Sequence, residues 1–169
     1  MRFSPRLKAI LSFVEGRTLA DIGTDHGYIP IAACLEGLVK RAVACDLCPG
    51  PTEQARENIK NNGLEDRIEV RVGYGLQPVS KDECDCVVIA GMGGMNIAEI
   101  LNDSAAKAQI LSIRQLIVQP QRDILLVKDV INNLGFEISD IVEVTDRGRP
   151  YTIISAIYSG LSINPIPKF

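Results

Sequence analysis

The stretch Leu19-Ala-Asp-Ile-Gly-Thr-Asp-His-Gly-Tyr28 decides how this chain folds. A short apolar run at 17–20 leads into it, and a helix-like run at 29–38 follows it. Strand, glycine-containing turn and helix form the opening unit of a nucleotide-binding α/β sheet. The glycines allow the backbone to turn tightly and to approach a ligand closely. The stretch therefore predicts an α/β fold with a ligand site at the end of its first strand.

The turn in this stretch is acidic and lacks the dinucleotide fingerprint. Gly-x-Gly-x-x-Gly places a helix N-terminus against a pyrophosphate, whereas the pattern here is Asp21-x-Gly23-x-Asp25-x-Gly27. Two carboxylates would repel a diphosphate at short range. They suit S-adenosylmethionine, which carries an ammonium and a sulfonium and has no phosphate. The alternative is a plain strand-to-helix turn in which Asp25 caps the helix.

Composition limits the class of protein. The 169 residues suffice for one domain with a sizeable core, and 46% hydrophobic residues exclude disorder. No apolar run approaches the roughly 18 residues that span a bilayer, and the first residues lack a signal-peptide core, so we expect a cytoplasmic protein without membrane contact. The net charge of −3 argues against RNA binding by this chain alone. A local basic patch is the alternative, formed from Arg2, Arg6, Lys8, Arg114, Arg122, Arg147 and Arg149.

The five cysteines are an odd number and do not form a disulfide framework. Cys45 and Cys48 have CxxC spacing, and Cys84 and Cys86 alternate along a predicted strand. Two such pairs raise the hypothesis of a zinc site. Because Cys45 lies inside a predicted buried strand, we favour reduced thiols and expect no metal.

The hydrophobic pattern predicts five βα units followed by a β-hairpin. The predicted strands are 18–21, 41–45, 67–72, 86–90, 115–119, 136–144 and 151–158. The predicted helices are 6–14, 26 or 28 to 36, 49–61, 95–101 and 124–134. We expect the first helix to cover the sheet, with a position beside the ligand pocket as the alternative, and we expect strand 67–72 near a sheet edge.

Further candidate ligand residues follow the ends of the predicted strands. Asp46 lies 25 residues after Asp21, where nucleoside-binding folds place an acid that accepts hydrogen bonds from ribose hydroxyls; the alternative is a solvent-exposed turn residue. Tyr74 follows the third strand and has a ring suited to stacking on adenine. Gly91-Met-Gly-Gly94 follows the fourth strand, and its glycines indicate close approach by another group.

Five motifs, taken together, resemble those of one protein family. They are Ala20-Asp-Ile-Gly-Thr-Asp-His-Gly-Tyr-Ile-Pro30, Gly50-Pro51, Ile89-Ala-Gly-Met-Gly-Gly94, Leu116-Ile-Val-Gln-Pro120 and Gly148 to Tyr151. Nearly the whole chain resembles the bacterial tRNA (adenine-N1)-methyltransferases that modify adenine 22 (TrmK type), which are class I S-adenosylmethionine-dependent enzymes. The resemblance implies a Rossmann-like fold: a seven-stranded, mostly parallel sheet with a C-terminal antiparallel β-hairpin and helices on both faces. It also implies S-adenosylmethionine as cofactor, tRNA as partner and N1 of adenine 22 as the methyl acceptor.

The resemblance also implies roles for individual residues. Asp25 carries over as the catalytic carboxylate, and Gln119-Pro120 lies where related enzymes hold the target base. A base that leaves its stacking partners needs a new surface, which Tyr28, His26, Tyr74 or Met92 offers. The expected cofactor site comprises Asp21, Gly23, Thr24, His26, Gly27, Asp46, Leu47, Gly73, Tyr74, Gly75, Gly91, Met92 and Gly93.

Two features depart from the family pattern. The family usually has an acid where Tyr74 stands, and that acid contacts the adenine end of the cofactor. The family also usually carries a C-terminal helical domain that helps to hold tRNA, whereas we expect the methyltransferase domain over 1–160 and a non-helical tail over 161–169. The alternatives are a methyltransferase for another RNA base or a small molecule, a non-catalytic module that binds cofactor or RNA, and a nicotinamide oxidoreductase. The oligomeric state is left open.

Overall fold

A computed structural model describes residues 3–160, so the expected tail over 161–169 lies outside the described residues. Seven strands form one sheet in the order β3-β2-β1-β4-β5-β7-β6. Strands β1 to β5 are mutually parallel, whereas β7 runs antiparallel to both β5 and β6. The strands are β1 Thr18–Ile22, β2 Arg41–Asp46, β3 Ile68–Val72, β4 Cys86–Met92, β5 Gln115–Pro120, β6 Phe136–Asp146 and β7 Arg149–Tyr158.

Helices cover both faces of this sheet, which confirms the predicted Rossmann-like fold. One apolar cluster lies under α1 to α3, and the other lies under α4 to α6. Residues 3–160 contain α1 Pro5–Leu11, α2 Tyr28–Leu35, α3 Pro49–Asn61, α4 Gly94–Leu101, α5 Lys107–Ile110 and α6 Ile124–Asn133, with a 3-10 helix at Ser104–Ala106. None of these helices combines the length and apolar character that a membrane span requires.

Several boundaries differ from the prediction. The first helix ends at Leu11, although Val14 beyond it is still buried. The predicted hairpin loop at 145–150 is shorter, because β6 and β7 pair from Asp146 and Arg149 onward. Only Arg147 and Gly148 remain as the turn, with φ of 50° and 75°, which is the left-handed backbone that two-residue hairpin turns adopt. The 3-10 helix and α5 were not predicted.

The chain reverses its winding direction at β1, and this positions the site. Strand β1 pairs with β2 on one side and with β4 on the other. The connections after β1 and β4 therefore leave in different directions and open a crevice at the carboxyl ends of the strands. Strand β3 lies at the sheet edge as predicted, with Ile68 and Val70 buried and Glu69 exposed between them.

Candidate functional site

A cavity opens at the carboxyl ends of β1, β2 and β4 and contains many of the expected site residues. The expected residues that line it are Asp21, Gly23, Asp25, His26, Tyr28, Asp46, Gly91 and Met92. They come from separate strand ends, and the sheet order brings them to one place. This agreement supports the cavity as the ligand site.

A second groove runs along the edge strand β3 and contains none of the expected site residues. Two of its charged side chains, Arg67 and Glu83, already make bonds within the fold. Arg67 donates hydrogen bonds to the carbonyl oxygens of Val39 and Lys40, at 2.8 and 3.0 Å. Glu83 pairs with Arg71 at 2.7 Å. We therefore place the functional site in the cavity at the strand ends.

Asp21 is the buried acid of the cavity. It is the fourth residue of β1 and only 4% exposed. The pKa of its carboxyl is raised from 3.8 to about 7, mainly by burial, with a lowering contribution from the Thr24 hydroxyl and a raising one from the charge of Asp46. That hydroxyl stops short of a full hydrogen bond, since Thr24 Oγ1 is buried without a partner among residues 3–160. A carboxyl held near neutrality in a cavity is suited to a cationic ligand.

The turn after β1 is held by the neighbouring strand. The backbone N–H groups of Gly23 and Thr24 both donate to the carbonyl oxygen of Cys45, at 2.8 and 2.9 Å. Gly23 has φ of 77°, and a Cβ at this position would collide with Met92 Cε. The turn therefore requires glycine, and it offers bare backbone to the cavity.

Asp46 is the last residue of β2, and one of its two carboxylate oxygens is hydrogen-bonded within the fold. Its Oδ1 accepts a hydrogen bond from the backbone N–H of Cys48 at 2.8 Å, which fixes the side chain. The other oxygen makes no such bond among the described residues, so it is available to a ligand in the cavity. A fixed carboxylate with one free oxygen can accept from a ribose hydroxyl.

Asp25, His26 and Tyr28 form the outer rim of the cavity. His26 Nε2 lies 3.3 Å from Asp25 Oδ2, and the two side chains are 41% and 77% exposed. The His26 and Tyr28 rings are stacked, with centroids 5.2 Å apart. The N-cap of α2 is Gly27 and makes no side-chain capping bond, so the alternative that Asp25 caps the helix is wrong. Asp25 instead lines the cavity.

These residues fit S-adenosylmethionine on their own chemistry. The buried carboxyl of Asp21, whose pKa is raised by burial, suits a cation. Asp46 has a free oxygen for a diol. Gly23, with φ of 77°, presents backbone without a side chain to the cavity.

The other expected site residues do not line the cavity. Those are Thr24, Gly27, Leu47, Gly73, Tyr74, Gly75, Gly93, Gln119 and Pro120. Tyr74 packs against the apolar cluster under α4 to α6, and burial raises the pKa of its hydroxyl. Gln119 and Pro120 are buried at the end of β5, and their role at the target base stays a prediction.

The prediction missed the opposite wall of the cavity. Helix α1 contributes Arg6, Leu7 and Ile10, and the hairpin contributes residues around its turn, namely Asp146, Arg147 and Tyr151. The apolar periodicity of α1 was the available signal, but it indicates only the buried face. The structure shows that α1 does both things considered for it: Ile10 and Leu11 are buried in the core, and Arg6 lies beside the cavity. Arg6 and Arg147, from the basic residues noted above, both line the cavity.

The cysteines are all free, with Cys48 exposed and the other four buried. Within residues 3–160 no group of three or more histidine, cysteine, aspartate or glutamate side chains is arranged to hold a metal ion.

Comparison with known proteins places the chain in a family. A family described as "Methyltransferase domain" matches residues 3–154. The tRNA (adenine(22)-N(1))-methyltransferase of Bacillus subtilis is 31% identical over 172 residues, covering 97% of this chain and 71% of that protein. The chain belongs to the tRNA (adenine(22)-N(1))-methyltransferase family. This confirms the resemblance carried by the motifs.

Solved structures of family members have the same fold. The Streptococcus pneumoniae protein Sp1610 in complex with S-adenosyl-L-methionine matches with a TM-score of 0.88 and 31% identity, over 96% of this chain and 76% of that one. TrmK of M. capricolum in complex with S-adenosyl-homocysteine matches with a TM-score of 0.85 and 25% identity, over 99% and 74%.

Proposed function

We propose that this chain transfers the methyl group of S-adenosylmethionine to N1 of adenine 22 in tRNA. The observation that carries the proposal is the cavity at the ends of β1, β2 and β4, where Asp21, Asp25 and Asp46 converge. Three carboxylates favour a cationic ligand and disfavour a dinucleotide. The Bacillus subtilis relative, named for this reaction, aligns with nearly the whole chain.

The residues divide the binding of the cofactor between them. Asp21 faces the cationic part, Asp46 accepts from the ribose hydroxyls, and the turns at Gly23 and Gly91 allow close approach of the backbone. S-adenosylmethionine supplies an electrophilic methyl group when bound. Tyr74 takes no part in this proposal, because it is half-buried against the apolar cluster and does not line the cavity.

Adenine N1 carries a neutral lone pair, so the residues need not supply a strong base. Most of the acceleration comes from holding the acceptor in line with the methyl group, which contributes up to roughly 7–11 kcal/mol. Methylation leaves the adenine ring cationic. Asp25 lies at the cavity rim and stabilises that charge, and it can accept a proton from N6. His26, at 3.3 Å from the Asp25 carboxylate, holds the carboxylate in place.

The target base must leave its stacking partners before N1 can reach the cavity. The stacked rings of His26 and Tyr28 at the rim provide an aromatic surface for it. Gln119 contacts the cavity wall through its bond to Arg6. A tRNA substrate also implies the compartment where tRNA matures, so we propose a cytoplasmic location, with residues 1–160 as the methyltransferase domain.

The test is a methylation assay with defined RNA. The purified chain is incubated with S-adenosylmethionine and a tRNA transcript that has adenine at position 22, and the digested nucleosides are analysed by mass spectrometry. We expect 1-methyladenosine from this transcript and none from a matched transcript with guanine at position 22. Methylation of both transcripts would indicate another base as target. Cofactor binding without methylation would favour the non-catalytic module.

A further inference from the structure

Arg6 is held in place by residues from two distant parts of the chain. It lies in the first turn of α1, where the Ser4 hydroxyl accepts from the backbone N–H of Leu7 at 3.3 Å. Its guanidinium carbon lies 5.2 Å from the centroid of the Tyr151 ring in β7. Its Nη1 donates to Gln119 Oε1 at the end of β5, at 3.2 Å. The guanidinium therefore has a fixed orientation at the cavity wall.

Both ends of the Gln119 side-chain amide are hydrogen-bonded, and together these bonds orient Arg6. The side chain is fully buried, and its Nε2 donates to the carbonyl oxygen of Pro120 at 3.1 Å. This bond fixes Oε1 toward Arg6. A buried amide whose two ends are both engaged cannot contact a base without breaking these bonds. Gln119 is therefore a positioning residue for Arg6.

The Arg6 guanidinium has no carboxylate within 4.0 Å in the part of the chain that the structure describes. Guanidinium offers five N–H donors in a rigid fork, and only the Nη1 bond to Gln119 is formed there. A half-buried cation that is held by two side chains and has no counter-ion is suited to an anionic ligand.

The charges of the cavity are unevenly distributed. Asp21, Asp25 and Asp46 belong to the strand-end side, whereas both arginines, Arg6 and Arg147, belong to the wall formed by α1 and the hairpin. That wall also contains one acid, Asp146. A methyl donor with two cationic groups fits the acidic side, and a nucleic acid brings its phosphates to the basic side.

We propose that Arg6 binds a backbone phosphate beside the target adenosine, with Gln119 and Tyr151 holding its guanidinium for that contact. This inference rests on the proposed function. It assigns the α1 and hairpin wall to the tRNA and the strand-end wall to the cofactor. The carboxylate of S-adenosylmethionine is the other anion that can enter the cavity, and the experiment separates the two.

The test compares Arg6→Ala with Lys8→Ala on the same helix. Lys8 is exposed and does not line the cavity. Lys8→Ala therefore removes one positive charge from the same helix at a position outside the cavity. The dissociation constant for tRNA is measured over a series of salt concentrations, and the affinity for S-adenosylmethionine is measured by calorimetry. Loss of a bond to a charged group reduces affinity about 10- to 100-fold. The salt slope is the slope of the logarithm of the binding constant against the logarithm of the salt concentration, and loss of one phosphate contact reduces its magnitude by about 0.7 to 0.9.

We expect Arg6→Ala to show both changes for tRNA and to bind S-adenosylmethionine as the wild type does. Lys8→Ala should retain the tRNA affinity and most of the salt slope. Gln119→Met, which removes the acceptor but keeps the guanidinium charge, should weaken tRNA binding and leave the slope unchanged. Arg6→Lys should restore the slope but only part of the affinity, because an ammonium cannot form the fork.

Four outcomes would overturn the inference. If Arg6→Ala weakens cofactor binding and leaves the tRNA salt slope intact, Arg6 binds the cofactor carboxylate. If Arg6→Ala and Lys8→Ala behave alike, Arg6 makes no specific contact. If the wild-type chain neither binds nor methylates tRNA, the proposed function fails together with the inference, whereas wild-type methylation with an unaffected Arg6→Ala slope refutes the inference alone.

Discussion

Asp21 makes the stability of the protein depend on pH in a direction opposite to that of an ordinary salt-bridged aspartate. Its pKa is about 7 in the folded chain, against 3.8 as its ordinary value. Between these values the folded state holds a proton that the unfolded state has lost. The free energy of unfolding contributed by this group therefore falls as pH rises from about 4 to about 7 and is constant above that range.

The magnitude follows from the two pKa values. Each pH unit between them is worth about 1.4 kcal/mol, so the full effect of ionising Asp21 in the fold is roughly 4 kcal/mol. The stability changes only between the two pKa values. Raising the pH from about 5.5 to 8 therefore covers about half of that pKa interval, which corresponds to a loss of roughly 2 kcal/mol in unfolding free energy. Asp21→Asn keeps the shape of the side chain but cannot ionise, so it should be the more stable protein above pH 7.

The assay is urea unfolding of both proteins at several pH values without cofactor. The difference in unfolding free energy between Asp21→Asn and wild type should grow by roughly 2 kcal/mol from about pH 5.5 to 8. Asp129→Asn, at an exposed position on α6, serves as the matched control. The difference in unfolding free energy between this variant and the wild type should stay constant over the same pH range. A constant difference between Asp21→Asn and wild type across this range would refute the argument.

Three further predictions concern the cofactor side of the cavity. Binding of S-adenosylmethionine near pH 6 should release about one proton as the cation lets Asp21 ionise, measured by calorimetry in buffers of different ionisation enthalpy, and Asp21→Asn should release none. Gly23→Ala and Gly37→Ala should both lower Tm by about 2–8 °C, because alanine at positive φ costs about 1–2 kcal/mol. Both glycines have φ above 70°, but a Cβ at Gly37 meets nothing within 4 Å, so only Gly23→Ala should lose cofactor affinity; equal affinities would show that the turn does not touch the cofactor. Asp25→Ala should bind cofactor normally and lose turnover by about 10²- to 10⁴-fold, and a parallel loss of cofactor affinity would make Asp25 a cofactor ligand instead.

The fold and the acidic side of the site could be predicted because their signals are local. Asp21, Gly23 and Asp25 lie within five residues of one another, and the apolar run before them identifies the strand. Asp46 and Gly91 follow equally clear strands. Once the strands are parallel, their carboxyl ends must meet at one edge. Strand ends were predicted too early at Ala90 and Val144, because glycine and turn-forming residues continue the pairing there.

The basic side could not be predicted in the same way, since it depends on contacts between distant residues. Arg6 and Gln119 are 113 positions apart, and no periodicity links them. The apolar pattern of α1 shows that Ile10 and Leu11 are buried, but the place where the helix crosses the sheet decides whether Arg6 reaches the cavity. The Gly148 to Tyr151 motif identified the hairpin but not its packing against α1.

The same distinction explains how one cavity can hold two ligands of opposite charge. The acids are placed by the parallel strands, which the core fixes rigidly because β1 is buried from Leu19 to Ile22 and β4 from Cys86 to Ile89. The arginines are placed by α1 and the hairpin, elements added at the two ends of the βα core. A change in these outer elements can therefore alter how tightly the tRNA is held without disturbing the bonds that hold Asp21, Gly23 and Asp46. The affinity of this chain for tRNA should accordingly depend on Arg6, Gln119 and Tyr151, whereas its cofactor requirement should follow the strand ends.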